Sequence, residues 1–259
     1  MVATTVRATV RNLHIIWPGV ETLYIRGRVG DPALAMNRIP RKVTALMLDP
    51  TITVDSWDEM PPKLTYLNVS SGVIDEPRFL PPTLRVLTIG SPELASQLTS
   101  YVYLPEGIRQ LTLYLAGGNS ARLSEIPRSV GKLTLWNYEG DLADVPEEVT
   151  SLQLMEDDSL QLISGELPEG LRSLTIFGYE ALERVEALPI GLYDLSIAFC
   201  PALTSCTFPE MLNSLSLTSV PPELELPRLL LLEKLSLDGP VMSNGQVVKS
   251  YEDYVTAWA

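Results

Sequence analysis

The chain has 259 residues, 46% of them hydrophobic, and a formal net charge of −13. That content excludes a disordered chain, and no apolar run approaches the ~20 residues of a membrane-crossing helix. One histidine and two cysteines offer neither a disulfide framework nor zinc-ligand spacing. The charge is uneven: residues 1–100 balance at +1 and residues 101–259 at −14. An acidic body repels phosphate backbones and attracts basic partners, so nucleic acid is excluded as the expected ligand.

Residues 1–22 read as an N-terminal β cap. Val6, Ala8 and Val10 alternate with Arg7, Thr9 and Arg11, the pattern of an edge strand. The segment has no continuous apolar stretch of the kind a secretory signal carries, so the expected location is cytoplasmic. Export by a pathway reading other signals stays open. "HIIWPGVETLYI" then reads as a tight turn into the first repeat.

From Leu23 the chain repeats itself. A Leu-x-aliphatic core recurs at Leu23-Ile25, Leu46-Leu48, Leu67-Val69, Leu87-Ile89, Leu111-Leu113 and Leu133-Leu135. It continues at Leu152-Leu154, Leu174-Ile176, Leu195-Ile197, Leu215-Leu217 and Leu235-Leu237. The first leucines stand 19 to 24 residues apart, a leucine-rich period. Three residues before most anchors is another aliphatic, and three before that a proline, as in "LPPTLRVLTI" and "IPRSVGKLTL". Leu-x-aliphatic is a period-two signal for a short strand with one buried face. Proline fixes φ near −65° and lacks an N–H, which suits the turn opening each strand. One coil cannot bury its leucines; stacked coils bury them against each other.

This pattern resembles the short LPxxLxxLxL repeats of bacterial effector leucine-rich repeat proteins; FNIP repeats are a poorer match, since no Phe-Asn pair follows the strand. The resemblance implies an α/β or mostly β solenoid over residues 23–240, about eleven coils in a curved right-handed stack. It implies a parallel sheet on the concave face and irregular return segments. The family's usual Asn after the strand is replaced here by Ala116, Tyr138, Asp157, Tyr179, Cys200 and Val220. No catalytic domain follows the repeats, so the ligase activity of some effector relatives does not carry over.

Residues 241–259 read as a C-terminal capping helix. Val247, Val248, Tyr251, Val255 and Trp258 fall on one helical stripe, with Ser243 or Asn244 as the cap.

Strand alternation assigns Thr134, Gln153 and Thr175 to a central outward column of small and polar side chains. The next outward column reads Arg26, Asp49, Ser70, Gly90, Tyr114, Trp136, Met155, Phe177, Ala198, Thr218, Asp238. Strand spacing sets Tyr114 and Phe177 about 14 Å apart, with Trp136 and Met155 between. Lys132 and Asp194 flank this patch, and Glu139, Glu156, Asp157, Asp158 and Glu169 belong to the same coils. Aromatics and Met anchor interfaces.

No phosphate loop, nucleophile elbow or HExxH is present, and no reaction-type constellation can be assembled, so neither an enzyme nor a cofactor is expected. Gly117-Gly118-Asn119 reads as a loop turn, Asn68-Val69-Ser70 as a formal glycosylation triplet on a strand, and Cys200 and Cys206 as buried thiols. The expectation is a protein-binding scaffold of effector or immunity type, without membrane insertion, whose partner offers a basic or mixed apolar and basic surface. A self-assembling structural protein or homodimer, and a glycan or small-ligand binder using the same aromatics, are the alternatives.

Overall fold

The computed structural model describes residues 5–28, 30–69, 80–90, 104–115, 123–139, 142–164 and 167–258. Ser70, Ala116 and the Gly117-Gly118-Asn119 turn lie outside them. The chain forms two compact units, Met1–Gly131 and Lys132–Ala259.

In the first unit the described residues build a parallel ladder of strands β1 (Thr5–Thr9), β2 (Thr22–Arg26), β3 (Ala45–Leu48), β4 (Tyr66–Val69), β5 (Val86–Ile89) and β6 (Gln110–Tyr114). The register is strict: Leu23 stands opposite Leu46, Leu46 opposite Leu67, Leu67 opposite Leu87 and Leu87 opposite Leu111. The leucine columns are buried and their neighbours half-buried or exposed, as the period of two dictates.

The second unit repeats this construction in β7 (Lys132–Trp136), β8 (Ser151–Met155), β9 (Ser173–Phe177), β10 (Asp194–Ala198), β11 (Ser214–Thr218) and β12 (Lys234–Leu237). Leu133, Leu152, Leu174, Leu195, Leu215 and Leu235 form one inward column. All are buried except Leu235, which with Leu237 is only half-buried at the last rung.

The proline signature has a direct cause. In each Pro-x-x-aliphatic unit the aliphatic N–H donates to the proline carbonyl, closing a turn: Val43 to Pro40, Leu64 to Pro61, Ile108 to Pro105, Leu171 to Pro168, Leu192 to Pro189, each within 3.1 Å. The missing proline N–H is not needed there. Trp17 takes the proline place in the first coil, with Val20 N–H donating to its carbonyl at 3.2 Å.

Four features differ from the sequence expectation. First, β1 is the edge strand expected, but it is joined to β2 by a parallel crossover rather than a tight turn, with Val6 opposite Leu23 and Ala8 opposite Ile25. A 3-10 turn over Val10–Ile15 shortens the connection enough to make a parallel crossover, so Val10 leaves the strand. Second, the return segments contain paired short strands: Leu34–Ala35 with Val54–Ser56 in the first unit, and Leu162–Ile163, Arg184–Val185 and Ser205–Cys206 in the second. Third, Cys206 is half-buried rather than buried, although the two cysteines are free thiols as expected.

Fourth, residues 241–259 are not one helix. Val241–Ser243 and Gln246–Val248 pair antiparallel around Asn244-Gly245, whose φ values of 48° and 70° match the Asn-Gly hairpin turn. Helix α1 spans only Tyr251–Ala257, and Ser250, not Ser243 or Asn244, caps it by accepting from Asp253 N–H at 3.2 Å. Its buried residues are Tyr254 and Ala257, while Val247 and Val255 face solvent. Hydrogen bonds pin this cap. Tyr254 Oη accepts from Leu229 N–H at 2.6 Å and donates to the Pro227 carbonyl at 3.0 Å. Tyr251 Oη donates to the Leu232 carbonyl, and Trp258 Nε1 to Ser243 Oγ.

Candidate protein-binding surface

In the second unit the first five sheet strands, β7 to β11, end in the same backbone event. Asn137, Glu156, Phe199 and Ser219 have φ of 54°, 49°, 55° and 49°, and Gly178 has 74°. All five stand four residues after their first leucine. This left-handed kink turns the chain out of the sheet while its N–H stays in the ladder. Glu156 N–H donates to the Phe177 carbonyl (2.7 Å), Gly178 N–H to Ala198 (2.9 Å) and Phe199 N–H to Thr218 (2.9 Å). At the final kink, Asp238 Oδ1 accepts from Ser219 N–H at 2.8 Å.

The kink decides what comes next in each coil. Without it, alternation would send Glu156 and Phe199 into the core. With it, the following residue turns in: Tyr138, Asp157, Tyr179 and Cys200 are buried. Asp157 therefore leaves the acidic surface to which the sequence assigned it. Its Oδ1 instead accepts from Ser159 N–H, Ser159 Oγ–H and Leu160 N–H at 2.7, 3.0 and 2.9 Å, holding the return loop. Burial, and then the Asp157 and Cys200 charges, push the Tyr179 phenol well above its ordinary value. Burial pushes the Cys200 thiol up to about 11.

On the outward face, Trp136, Met155 and Phe177 stand in register at the ends of β7, β8 and β9, all half-buried. Ala198 and Thr218 continue that column. Phe199 joins it from the kink: its ring meets Phe177 edge to face, centroids 5.0 Å apart and planes 64° apart, a favourable aromatic geometry. Phe199 is 49% exposed. Period-two reasoning places Phe199 inward and so misses it. The available signal is Gly178 at the equivalent position one coil earlier, which marks a kink that reverses the alternation.

The flanking residues fall as follows. Lys132 and Asp194 open β7 and β10 and are exposed. Gln153 and Thr175 are half-buried in the central column. Thr134 is buried rather than displayed, and donates from Oγ1 to Gln153 Oε1 at 3.0 Å. Glu139, Glu156, Asp158, Glu169 and Glu180 are exposed. Tyr114 belongs to the first unit, half-buried at the end of β6. That unit presents a different outward surface at Tyr24, Arg26 and Asp49. Arg26 lies over the Tyr24 ring at 5.8 Å, and Tyr24 Oη donates to Asp49 at 3.3 Å. Hydrogen bonds from Thr51 hold the Asp49 carboxyl below its ordinary value.

No group of three His, Cys, Asp or Glu among the described residues could hold a metal ion. No described helix is long and apolar enough to cross a membrane.

Tandem coils that each run from a closed turn through a Leu-x-aliphatic strand to a return segment define a leucine-rich repeat solenoid. Among solved structures the chain is similar to CroV588, a circular leucine-rich repeat protein. The identity is 15% and the TM-score 0.46, over 86% of this chain and 44% of that one, so the match spans less than half of CroV588. It is also similar to the leucine-rich repeat-containing protein LegL7 from Legionella pneumophila, at 17% identity and TM-score 0.45, over 78% of this chain and 89% of that one. No protein-family model matches the sequence, and neither does any curated protein.

Proposed function

We propose that this protein is a protein-binding scaffold whose second unit grips its partner on the outward sheet face, with Trp136, Met155, Phe177 and Phe199 as anchors. The observation that carries this reading is Phe199. A bulky residue in the left-handed region costs about 1–2 kcal/mol, and the same kink is made by Gly178 one coil earlier. The fold does not need an aromatic there, yet one is displayed, half-exposed, against Phe177. Strain that persists where a cheaper residue would serve points to a surface under functional demand.

Exposed Glu156, Asp158, Glu169 and Glu180 give the same coils an acidic margin. A partner surface with apolar knobs and basic neighbours complements both features. A translocated effector or an immunity-type inhibitor has this need for a rigid, preformed face.

The test is comparative capture from a lysate of the source cell. Immobilised wild type is set against a Phe177→Ala/Phe199→Ala variant with an unchanged circular dichroism spectrum. The reading expects a protein that wild type retains, the variant loses, and added salt weakens. Equal recovery by both would remove the aromatic face as the site.

A further inference from the structure

A second surface in the same unit lies where the coils enter their strands, on the edge that carries the proline turns. Two residues in each turn, five and four before the first leucine, project there. In the second unit they read Glu147-Glu148, Glu169-Gly170, Ile190-Gly191, Glu210-Met211 and Leu230-Leu231. The first-unit coils carry Arg41-Lys42, Pro62-Lys63, Pro82-Thr83 and Glu106-Gly107 in the same slot. The fold thus accepts charge or a small residue here and has no need of a large aliphatic one.

The last three coils nevertheless display Ile190 at 75% exposure, Met211 at 50%, Leu230 at 79% and Leu231 at 47%, with Tyr193 beside them at 53%. Ladder register fixes their spacing: Asp194, Ser214 and Lys234 are direct neighbours across the strands. The apolar side chains therefore climb the edge in steps of about 4.8 Å. Single exposed aliphatics are ordinary; a contiguous row of them is an interaction surface.

We infer that this edge docks one face of a basic amphipathic helix from another protein. An α-helix rises about 5.4 Å per turn, so a helix lying along the stack offers one apolar residue to each of three coils with an accumulated mismatch of about 1 Å. The row is bounded by acid. Glu210 sits within it, and Glu147, Glu148 and Glu169 continue the same slot in the two preceding coils. The cation between them, Arg172, is turned onto backbone and donates to the Glu169 and Gly191 carbonyls at 3.3 and 3.2 Å. A helix apolar over two turns and rich in lysine or arginine beyond them meets matching chemistry along its length. The inference does not rest on the aromatic sheet face, which is built from other residues.

The probe is a fluorescein-labelled 18-residue model helix with leucines on one face and lysines elsewhere, titrated with the full chain and read by anisotropy. The Met211→Ser/Leu231→Ser variant is expected to weaken binding at least tenfold, and Glu147→Lys/Glu148→Lys several-fold, more so at low salt. Phe177→Ala/Phe199→Ala should leave this affinity unchanged, which separates the two surfaces. Equal binding by wild type and Met211→Ser/Leu231→Ser would overturn the inference. So would tighter binding of the same peptide with glutamate in place of lysine. Concentration-dependent dimerisation that Met211→Ser/Leu231→Ser abolishes would instead make a second copy the occupant, and would overturn it too.

Discussion

Phe177 and Phe199 touch edge to face at 5.0 Å, yet they reach that contact from different backbone states. Phe177 ends a regular strand. Phe199 sits one residue past the next strand, at a φ of 55°. The contact exists because the kink throws Phe199 outward, and it brings a penalty that glycine would not carry.

The kink yields a stability prediction. Phe199→Gly relieves the strain and loses the ring contact, so it should fall within about 1 kcal/mol of wild type. Phe199→Ala keeps the strain and loses the contact, so it should be the less stable of the two by about 1 kcal/mol. Gly178→Ala should destabilise by at least as much, because its new Cβ would also stand 3.1 Å from Glu156 Cγ. Urea denaturation of the three variants checks the order; Ala above Gly at position 199 would refute the strain.

Burial along the inward column predicts a gradient. Leu174→Ala should cost 2–5 kcal/mol, as is usual for a fully buried leucine. Leu235→Ala should cost less than half as much, because Leu235 at the last rung is only half-buried. Denaturation midpoints of the two variants, at equal m-value, test this.

The cap predicts a hydrogen-bond cost. Tyr254→Phe removes the acceptor of Leu229 N–H and the donor to the Pro227 carbonyl. A loss of about 1–3 kcal/mol is expected, since buried groups are left unpaired. Tyr251→Phe, whose Oη makes one bond to Leu232 at a half-buried position, should cost less. Amide exchange of Leu229 should accelerate in the first variant and not in the second.

Cys200 predicts a pH effect of known sign. Its thiol is held near 11, above the ordinary value of about 8.5, so the folded chain keeps a proton that the unfolded chain releases. Its contribution to stability is complete below about pH 8.5 and declines by up to about 1.4 kcal/mol per pH unit toward 11. In a Cys206→Ala background, a thiol reagent at pH 8 should leave native protein unlabelled and label it once in guanidinium. The denaturation midpoint of that protein should fall more steeply above pH 8.5 than that of the Cys200→Ala/Cys206→Ala chain.

The rungs of both ladders were legible because Leu-x-aliphatic spacing and burial are the same fact seen twice. The turn before each rung was legible for a similar reason: proline is tolerated where its carbonyl, not its nitrogen, makes the bond. What escaped were places where a backbone angle overrides a pattern. Asn244-Gly245 carries the strongest hairpin signal in the chain, but the aliphatic stripe from Val247 to Trp258 outweighed it in a helical reading. Phe199 escaped because alternation was extended one residue past the kink. Met155 and Trp136 precede it, so alternation puts them in the outward column, where they stand half-buried. Asp157 appears as surface charge in any count of acids, and only the kink reveals it as a loop clamp.

The five kinks of the second unit share one backbone shape but not one residue: Asn137, Glu156, Gly178, Phe199 and Ser219. Their N–H groups do the structural work, and the side chains are passengers. At the four positions that already carry a side chain, descendants of this chain can exchange one for another with little added strain, whereas a Cβ at Gly178 would meet Glu156 Cγ at 3.1 Å. A new residue at any of those four would alter what the surface recognises, while the hydrogen bonds joining one coil to the next stayed the same.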